Sequence, residues 1–212
     1  MENFELSVQR FNEFAEEYAS RFDNVSGYIE PLTHFCSLLE SDNPHILELA
    51  CGSGNVTGFL KNRFPNSLIL AVDLAPKMIE IAKNLLPEVD FRVMDVRNIS
   101  VIPDRFDAVM CSFCLPFLSK TDAAQLISDC ADRLVSGGVL YVSTMEGNEE
   151  RAGYETTSFS GDVEVYFNYH QQTDLEQAFE QSGFEIRQLK LQDYVEPNGS
   201  VTTDMIFIAE KR

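Results

Sequence analysis

Ile46-Leu-Glu-Leu-Ala-Cys-Gly-Ser-Gly-Asn-Val-Thr-Gly58 is the stretch that decides the fold of this chain. An apolar run broken by a single acid, Glu48, gives way to glycines at 52 and 54 and then to an amphipathic helix pattern. The sequence therefore reads as strand, tight turn and helix. Glycine at 52 and 54 removes the Cβ atoms that would hold a ligand away from the backbone. A helix opening near Asn55 presents unpaired N–H groups at the same place. The stretch predicts a small polar ligand lying on the turn.

Outward from this turn, apolar runs and helical periods alternate along the chain. Strands are predicted at 45–50, 68–72, 90–94, 106–111 and 139–143, with helices at 56–63, 76–86 and 121–134 among them. Such alternation gives an α/β fold of parallel strands joined by right-handed helical crossovers, with ligands at the strands' carboxyl ends. Upstream, Leu6, Phe11, Phe14, Ala15, Tyr18 and Phe22 recur at helical spacing and predict one helix over 5–22, followed by a second over 28–39. These two cap helices occupy 1–42. Downstream, Thr173-Asp-Leu-Glu176 is a capping-box pattern for a helix that Gly183 closes. Two β-rich runs, 184–195 and 201–210, flank Glu196-Pro-Asn-Gly-Ser200, a turn signal that makes the last two strands an antiparallel hairpin. The expected architecture is a Rossmann-like three-layer sandwich in one domain, 1–212. Its sheet is mostly parallel and seven-stranded, finished by the C-terminal hairpin, and residues 145–172 form an insert before the Thr173 helix.

A length of 212 residues with 44% hydrophobic content suffices for one domain with a substantial core. The formal net charge of −18 repels a polyphosphate backbone and argues against DNA or RNA as partner; a solvated acidic surface explains it, with an acidic patch that steers a cationic partner as the competing reading. Five cysteines, Cys36, Cys51, Cys111, Cys114 and Cys130, are an odd number scattered through apolar segments, the pattern of reduced core thiols. Cys111-Ser-Phe-Cys114 has CxxC spacing but no second CxxC and no nearby His pair, so it reads as packing and no metal site is expected. Met1–Arg10 lacks the apolar core of a signal peptide, and no segment approaches eighteen consecutive apolar residues. The expectation is a cytoplasmic chain with no membrane partner, monomeric or homodimeric.

With these motifs in this order, the sequence resembles the class I S-adenosylmethionine-dependent methyltransferases over nearly its whole length. Glu48-Leu-Ala-Cys-Gly-Ser-Gly54 is similar to the family's first glycine motif, Ala71-Val-Asp-Leu-Ala-Pro-Lys-Met78 to its second and Arg92-Val-Met-Asp-Val96 to its third. Phe106-Asp-Ala-Val-Met-Cys-Ser112 is similar to the strand that follows, and Leu134-Val-Ser-Gly-Gly-Val-Leu140 to the turn into the fifth strand. The resemblance implies methyl transfer from S-adenosylmethionine, with S-adenosylhomocysteine as product, to a small-molecule acceptor at oxygen or nitrogen by in-line displacement. The implied donor site comprises Tyr18, Glu48, Ala50, Gly52, Gly54, Asp73, Leu74, Met78, Asp95, Val96 and Cys111.

Several of these positions also have a physical reading. Glu48 is costly to bury alone, and a ligand ammonium group compensates it directly or through water. Asp73 ends the second strand, nineteen residues beyond Gly54, where a carboxylate accepts hydrogen bonds from ribose hydroxyls. Asp95 is placed to accept from an exocyclic adenine amine while the Val96 N–H donates to the ring, and Leu74 and Met78 supply apolar walls. Plainer readings stand beside these: a glycine turn as only a turn, an Asp after a strand as only a helix cap, Met78 as only core. Two positions depart from the family pattern. Ala50 stands where glycine is common, and Ala75 where a serine often caps the following helix, a loss of about 1 kcal/mol; Pro76 still suits the first turn.

A nicotinamide-dependent oxidoreductase also pairs a glycine turn with an acid at the next strand end. Against it, the third glycine of GxGxxG falls at Thr57, and Glu48 sets negative charge near an anionic pyrophosphate. A non-catalytic domain that binds S-adenosylmethionine carries the same motifs as an enzyme. Methyl transfer needs a general base only where the acceptor is protonated, so the family fixes no single catalytic residue. Cys111-Ser-Phe-Cys-Leu-Pro-Phe117 lacks the Asn/Asp-Pro-Pro-aromatic pattern of amino-methylating nucleic-acid enzymes, which directs the acceptor toward small molecules. The cap helices and the insert, with Tyr154, Phe159, Tyr166, Phe167, Tyr169 and His170, are expected to form the acceptor pocket. His170 is the expected base, with Tyr18, Tyr154, Tyr166 and Glu146 behind it; its competing reading is to cap or orient the following helix. Tyr18 and Arg21 are placed to close over the donor's carboxylate, and a plain amphipathic helix explains them as well.

Overall fold

The computed structural model describes residues 3–22, 24–159, 163–195, 199 and 201–212. Its centre is a seven-stranded sheet of β1 (His45–Leu49), β2 (Leu68–Asp73), β3 (Asp90–Val93), β4 (Phe106–Ser112), β5 (Leu134–Met145), β8 (Phe184–Val195) and β9 (Val201–Lys211). The spatial order is β3-β2-β1-β4-β5-β9-β8. The first five strands pair in parallel, and β9 runs antiparallel between β5 and β8. This is the expected Rossmann-like sandwich with its terminal hairpin. Of the turn expected at 196–200 only Gly199 lies among the described residues, at φ 83°.

The period of two along the strands divides the core between two faces. Leu47, Leu49, Val109 and Cys111 pack with α6 (Lys120–Arg133) and α7 (Gln172–Gln181), while Ile46, Ala71, Ala108 and Met110 pack with α3 (Ile29–Ser37), α4 (Asn55–Arg63) and α5 (Pro76–Leu85). Covering a sheet on both faces makes its strands read as nearly continuous apolar runs. Glu48 interrupts the central one, paired with Ala71 on one side and Met110 on the other.

Two expectations are corrected. The helix predicted over 5–22 is two, α1 (Asn3–Glu13) and α2 (Ala15–Arg21), broken at Phe14 where φ is −107° and ψ 25°. The break turns Ala15 onto Ala75 and Met78 of the α5 entry. The insert contains a short antiparallel pair, β6 (Gly153–Glu155) and β7 (Val165–Phe167), whose three-residue strands are too brief for a periodicity signal. The Thr173–Glu176 capping box does not form: α7 begins at Gln172, its N-cap is Gln171 without a side-chain bond, and Glu176 accepts from Gln172 Nε2 at 2.8 Å instead. The chain is pinned just before that helix, because the His170 N–H donates to the Met145 carbonyl at 3.2 Å. Gly183, at φ 81°, closes α7 as its sequence position implies. All five cysteines are buried and unbridged, and no helix among the described residues is long and apolar enough to cross a membrane.

Candidate active site

The loop after β1 lies at the carboxyl edge of the sheet, where strand order reverses between β1 and β4. Three of its residues adopt positive φ: Ala50 at 52°, Gly52 at 53° and Gly54 at 90°. The two glycines do different work. A Cβ at Gly52 would meet no atom within 4 Å, so this residue borders open space. A Cβ at Gly54 would lie 3.3 Å from Ala82 Cβ; Gly54 caps α4 and lets α5 pack close, and it does not line the cleft. Ala50 carries its left-handed conformation with a Cβ, at a cost of roughly 1–2 kcal/mol.

A two-lobed cleft opens over this loop. One lobe, about 750 Å³ out to its mouth, is walled by Asp73, Leu74, Ala75, Met78, Asp95 and Val96 with Phe4, Ser7 and Val8 of α1. The other, about 1240 Å³ by the same measure, is walled by Glu48, Asn55, Tyr28, Met145, Tyr194 and Asp204. Phe11, Tyr18, Gly52, Phe113 and Phe117 border both. Phe113 is held at φ 50°, with its N–H donating to Ser143 Oγ at 3.0 Å.

Electrostatics set the acids apart. Asp73 accepts from the Gly52 N–H at 2.9 Å and the Ala75 N–H at 2.8 Å; burial raises its pKa, and these backbone donors oppose the rise. Glu48 is 2% exposed, and its Oε2 is buried without a hydrogen-bond partner. Burial pushes its pKa up to about 8, partly offset by Thr57, while the Asp73 charge adds to the rise. Such a group invites a cation. Burial also raises Asp95, but bonds from the Arg97 side chain and N–H outweigh it and hold that carboxyl below its ordinary range. Tyr18, at the junction of the lobes, is pushed up to about 12 by burial and then by Asp73.

Residues 46–138 match the family model described as a methyltransferase domain. Over this segment the chain is similar to the S-adenosylmethionine-dependent methyltransferases. It is 32% identical over 151 residues to the malonyl-[acyl-carrier protein] O-methyltransferase of Bacillus cytotoxicus, covering 68% of this chain and 51% of that one. It is 31% identical over 105 residues to the demethylmenaquinone methyltransferase of Thermotoga maritima, covering 50% and 45%. The chain thus spans about half the length of these relatives. Its fold superposes on magnesium protoporphyrin IX methyltransferase of Synechocystis, solved with bound S-adenosylmethionine, with TM-score 0.71 and 15% identity over 100% of this chain and 98% of that one.

The structure brings most of the predicted donor residues together. Tyr18, Glu48, Ala50, Gly52, Asp73, Leu74, Met78, Asp95 and Val96 all border the cleft. The residues also fit the family's donor: an unpartnered Glu48 oxygen suits an ammonium group, and Asp73 retains lone pairs beyond its two backbone donors. Asp95 is more heavily used than expected, since it caps a 3₁₀ turn over Val96–Val101 and pairs with Arg97 Nη2 at 2.6 Å. Cys111 is a correction. Its place in the β4 alternation turns it into the α6–α7 core, and Ser112, Phe113 and Cys114 form the wall.

The expected base is also corrected. His170 is 4% exposed, its Nε2 lies 2.8 Å from the Leu115 carbonyl, and it borders a separate surface depression with Lys120 and Asp174. Burial lowers its pKa. Its ring is bonded to the turn after β4 and its N–H to the end of β5, and its side chain does not cap α7. Tyr154, Tyr166, Glu146 and Arg21 do not line the cleft either; Tyr154 and Tyr166 pack edge to face, and the Arg21 guanidinium lies over Phe22. The insert contributes Thr157, Ser158 and Phe167 to the wall, and Phe159 beneath it packs on Phe11. The reading missed Tyr28 and Asp204, which meet in the second lobe at 2.7 Å. Asp204 carried the same signal as Glu48, a lone acid beside an apolar run, here Met205-Ile-Phe-Ile-Ala209.

Proposed function

We propose that this chain binds S-adenosylmethionine and transfers its methyl group to a small-molecule acceptor, at oxygen or nitrogen, by in-line displacement. The observation that carries the reading is a pair of buried acids at the glycine turn. Glu48 has an unpartnered oxygen and Asp73 is clamped by the Gly52 and Ala75 N–H groups, and both open on one cleft. Glu48 takes the ammonium group of the donor's amino-acid end, Asp73 the ribose hydroxyls, and Leu74, Met78 and Val96 the apolar ring. When bound, the donor supplies an electrophilic methyl group on a sulfonium that departs as a neutral thioether.

The protein's own work is then position and exclusion of water. Phe11, Phe113 and Phe117 border both lobes, so an acceptor in the second lobe meets an apolar rim. The acceptors named for the relatives, malonyl-[acyl-carrier protein] and demethylmenaquinone, are not nucleic acids, which supports this reading. Calorimetry with S-adenosylhomocysteine tests the site: the wild type binds, and Asp73→Ala weakens binding at least tenfold, the scale of a lost charged hydrogen bond. Unchanged affinity in a folded variant overturns the assignment. Single-turnover methyl transfer tests the activity.

A further inference from the structure

The two lobes of the cleft meet along a seam, and Ser112, the last residue of β4, borders both. Across the strand pair it stands opposite Ser143 of β5, with the two hydroxyl oxygens 3.3 Å apart. Ser143 is wholly buried, and its Oγ accepts the Phe113 N–H at 3.0 Å. A backbone N–H can only donate, so the Ser143 hydroxyl still has its own proton to place. Tyr141 Oη, on the same strand, is buried without a hydrogen-bond partner. Among the described residues the Ser143 proton therefore goes to Ser112 Oγ, because the reverse order strands it in the core. Ser112 thus receives one hydrogen bond from within the protein and turns its own proton to the cleft. The order runs from the Phe113 N–H through Ser143 to the Ser112 hydroxyl.

The seam is where methyl transfer takes place under the donor reading above, on which this inference rests. In S-adenosylmethionine the sulfur stands between the ribose and the amino-acid end, and Asp73 and Glu48, the acids assigned to those two ends, line different lobes. An acceptor atom that reaches the methyl group from the second lobe lies beside Ser112. Its lone pairs then have two tasks: one attacks, and another receives the Ser112 proton. A neutral amine nitrogen has a single lone pair, and spending it on the methyl group strands the Ser112 proton in an apolar rim. A phenolate oxygen has enough for both. Around the same lobe Tyr28 packs edge to face on Phe113 at 5.3 Å and Phe117 packs on Phe167 at 5.5 Å, a wall that suits an aromatic ring.

We infer that Ser112 holds the reacting atom of the acceptor, and that this atom is the hydroxyl oxygen of a phenol. The phenol O–H proton passes to water. The phenolate oxygen keeps one lone pair on the Ser112 hydroxyl and forms the O–C bond with another, while the methyl–sulfur bond breaks and its electron pair stays on sulfur. The product leaves as an aryl methyl ether. Ser112 touches the reacting atom, and Ser143 is a positioning residue that fixes the direction of the Ser112 proton.

Three molecules of one shape test it: 2-naphthol, 2-naphthylamine and 2-methylnaphthalene. With isotopically labelled S-adenosylmethionine, the wild type methylates the oxygen of 2-naphthol at least tenfold faster than the nitrogen of 2-naphthylamine. Transfer to nitrogen as fast as to oxygen, or no transfer to oxygen, overturns the phenol, and this comparison needs no variant. Binding to the protein saturated with S-adenosylhomocysteine gives the second readout, the preference for 2-naphthol over 2-methylnaphthalene. Ser112→Ala lowers that preference at least tenfold, Ser112→Thr restores it, and Ser143→Ala lowers it several-fold by freeing the Ser112 proton to turn. A merely structural loss weakens both ligands alike, so an unchanged preference in Ser112→Ala removes Ser112 from the role. Failure of S-adenosylhomocysteine to bind is a separate result: it overturns the donor reading, and the binding preference measured on the protein alone still decides the role of Ser112.

Discussion

Glu48 sits in the middle of a parallel sheet with one oxygen bonded to nothing, and its pKa rises from 4.5 to about 8. Between those values the folded protein holds a proton that the unfolded chain has released, so stability falls as pH rises from about 4.5 to 8. Asp73, also raised by burial, acts in the same direction. A ligand ammonium group reverses the preference of Glu48, and forming the complex below pH 8 therefore expels a proton. Affinity for S-adenosylhomocysteine should climb from pH 6 toward 8, and calorimetry in buffers of different ionisation enthalpy should register the released proton. Glu48→Gln should flatten that dependence, weaken binding and raise the melting temperature of the free protein near pH 8. A pH-independent affinity in the wild type would remove Glu48 from the ammonium site. This acid was legible because it breaks an apolar run. Cys111 was misplaced because a motif position does not say which face of β4 a side chain takes.

At the scale of elements, the missing cap of α5 is supplied from elsewhere. Ala75 has no side-chain acceptor, but Asn12 Oδ1 of α1 accepts the Lys77 N–H at 2.9 Å. The same helix carries Phe4, Ser7, Val8 and Phe11 onto the first lobe of the cleft, and Ser7 Oγ also accepts the Tyr166 N–H of β7 at 3.3 Å. Cap, wall and insert are thus joined through α1. Asn12→Ala should cost about 1 kcal/mol in denaturant unfolding, and it should weaken S-adenosylhomocysteine several-fold as α1 loosens; Asn12→Asp should keep both. Loss of stability without loss of affinity would make α1 a bystander to the site. The central elements were legible because their periods are long and strong. The break at Phe14 and the β6–β7 pair were not, because both depend on partners distant in sequence: Ala75 and Met78 for α2, Ser7 for β7.

For the molecule as a whole, alternation along the sequence implied parallel strands and a terminal hairpin, while the placement of β9 between β5 and β8 is visible only in the assembled sheet. That placement hid half of the cleft, since Asp204 reaches the lobe from the hairpin and not from the glycine-motif half.

The position of β9 also bears on how the protein is made. During synthesis β5 emerges about sixty residues before its neighbour β9, and until then it presents an open edge beside the five-stranded parallel half. The glycine turn, Glu48 and Asp73 can assemble in that interval, whereas Asp204 cannot. A nascent chain held on the ribosome before Val201 would therefore have the glycine turn and its two acids while lacking the Asp204 carboxylate of the second lobe. The two lobes of the cleft are completed at different times, in the order in which the strands are translated.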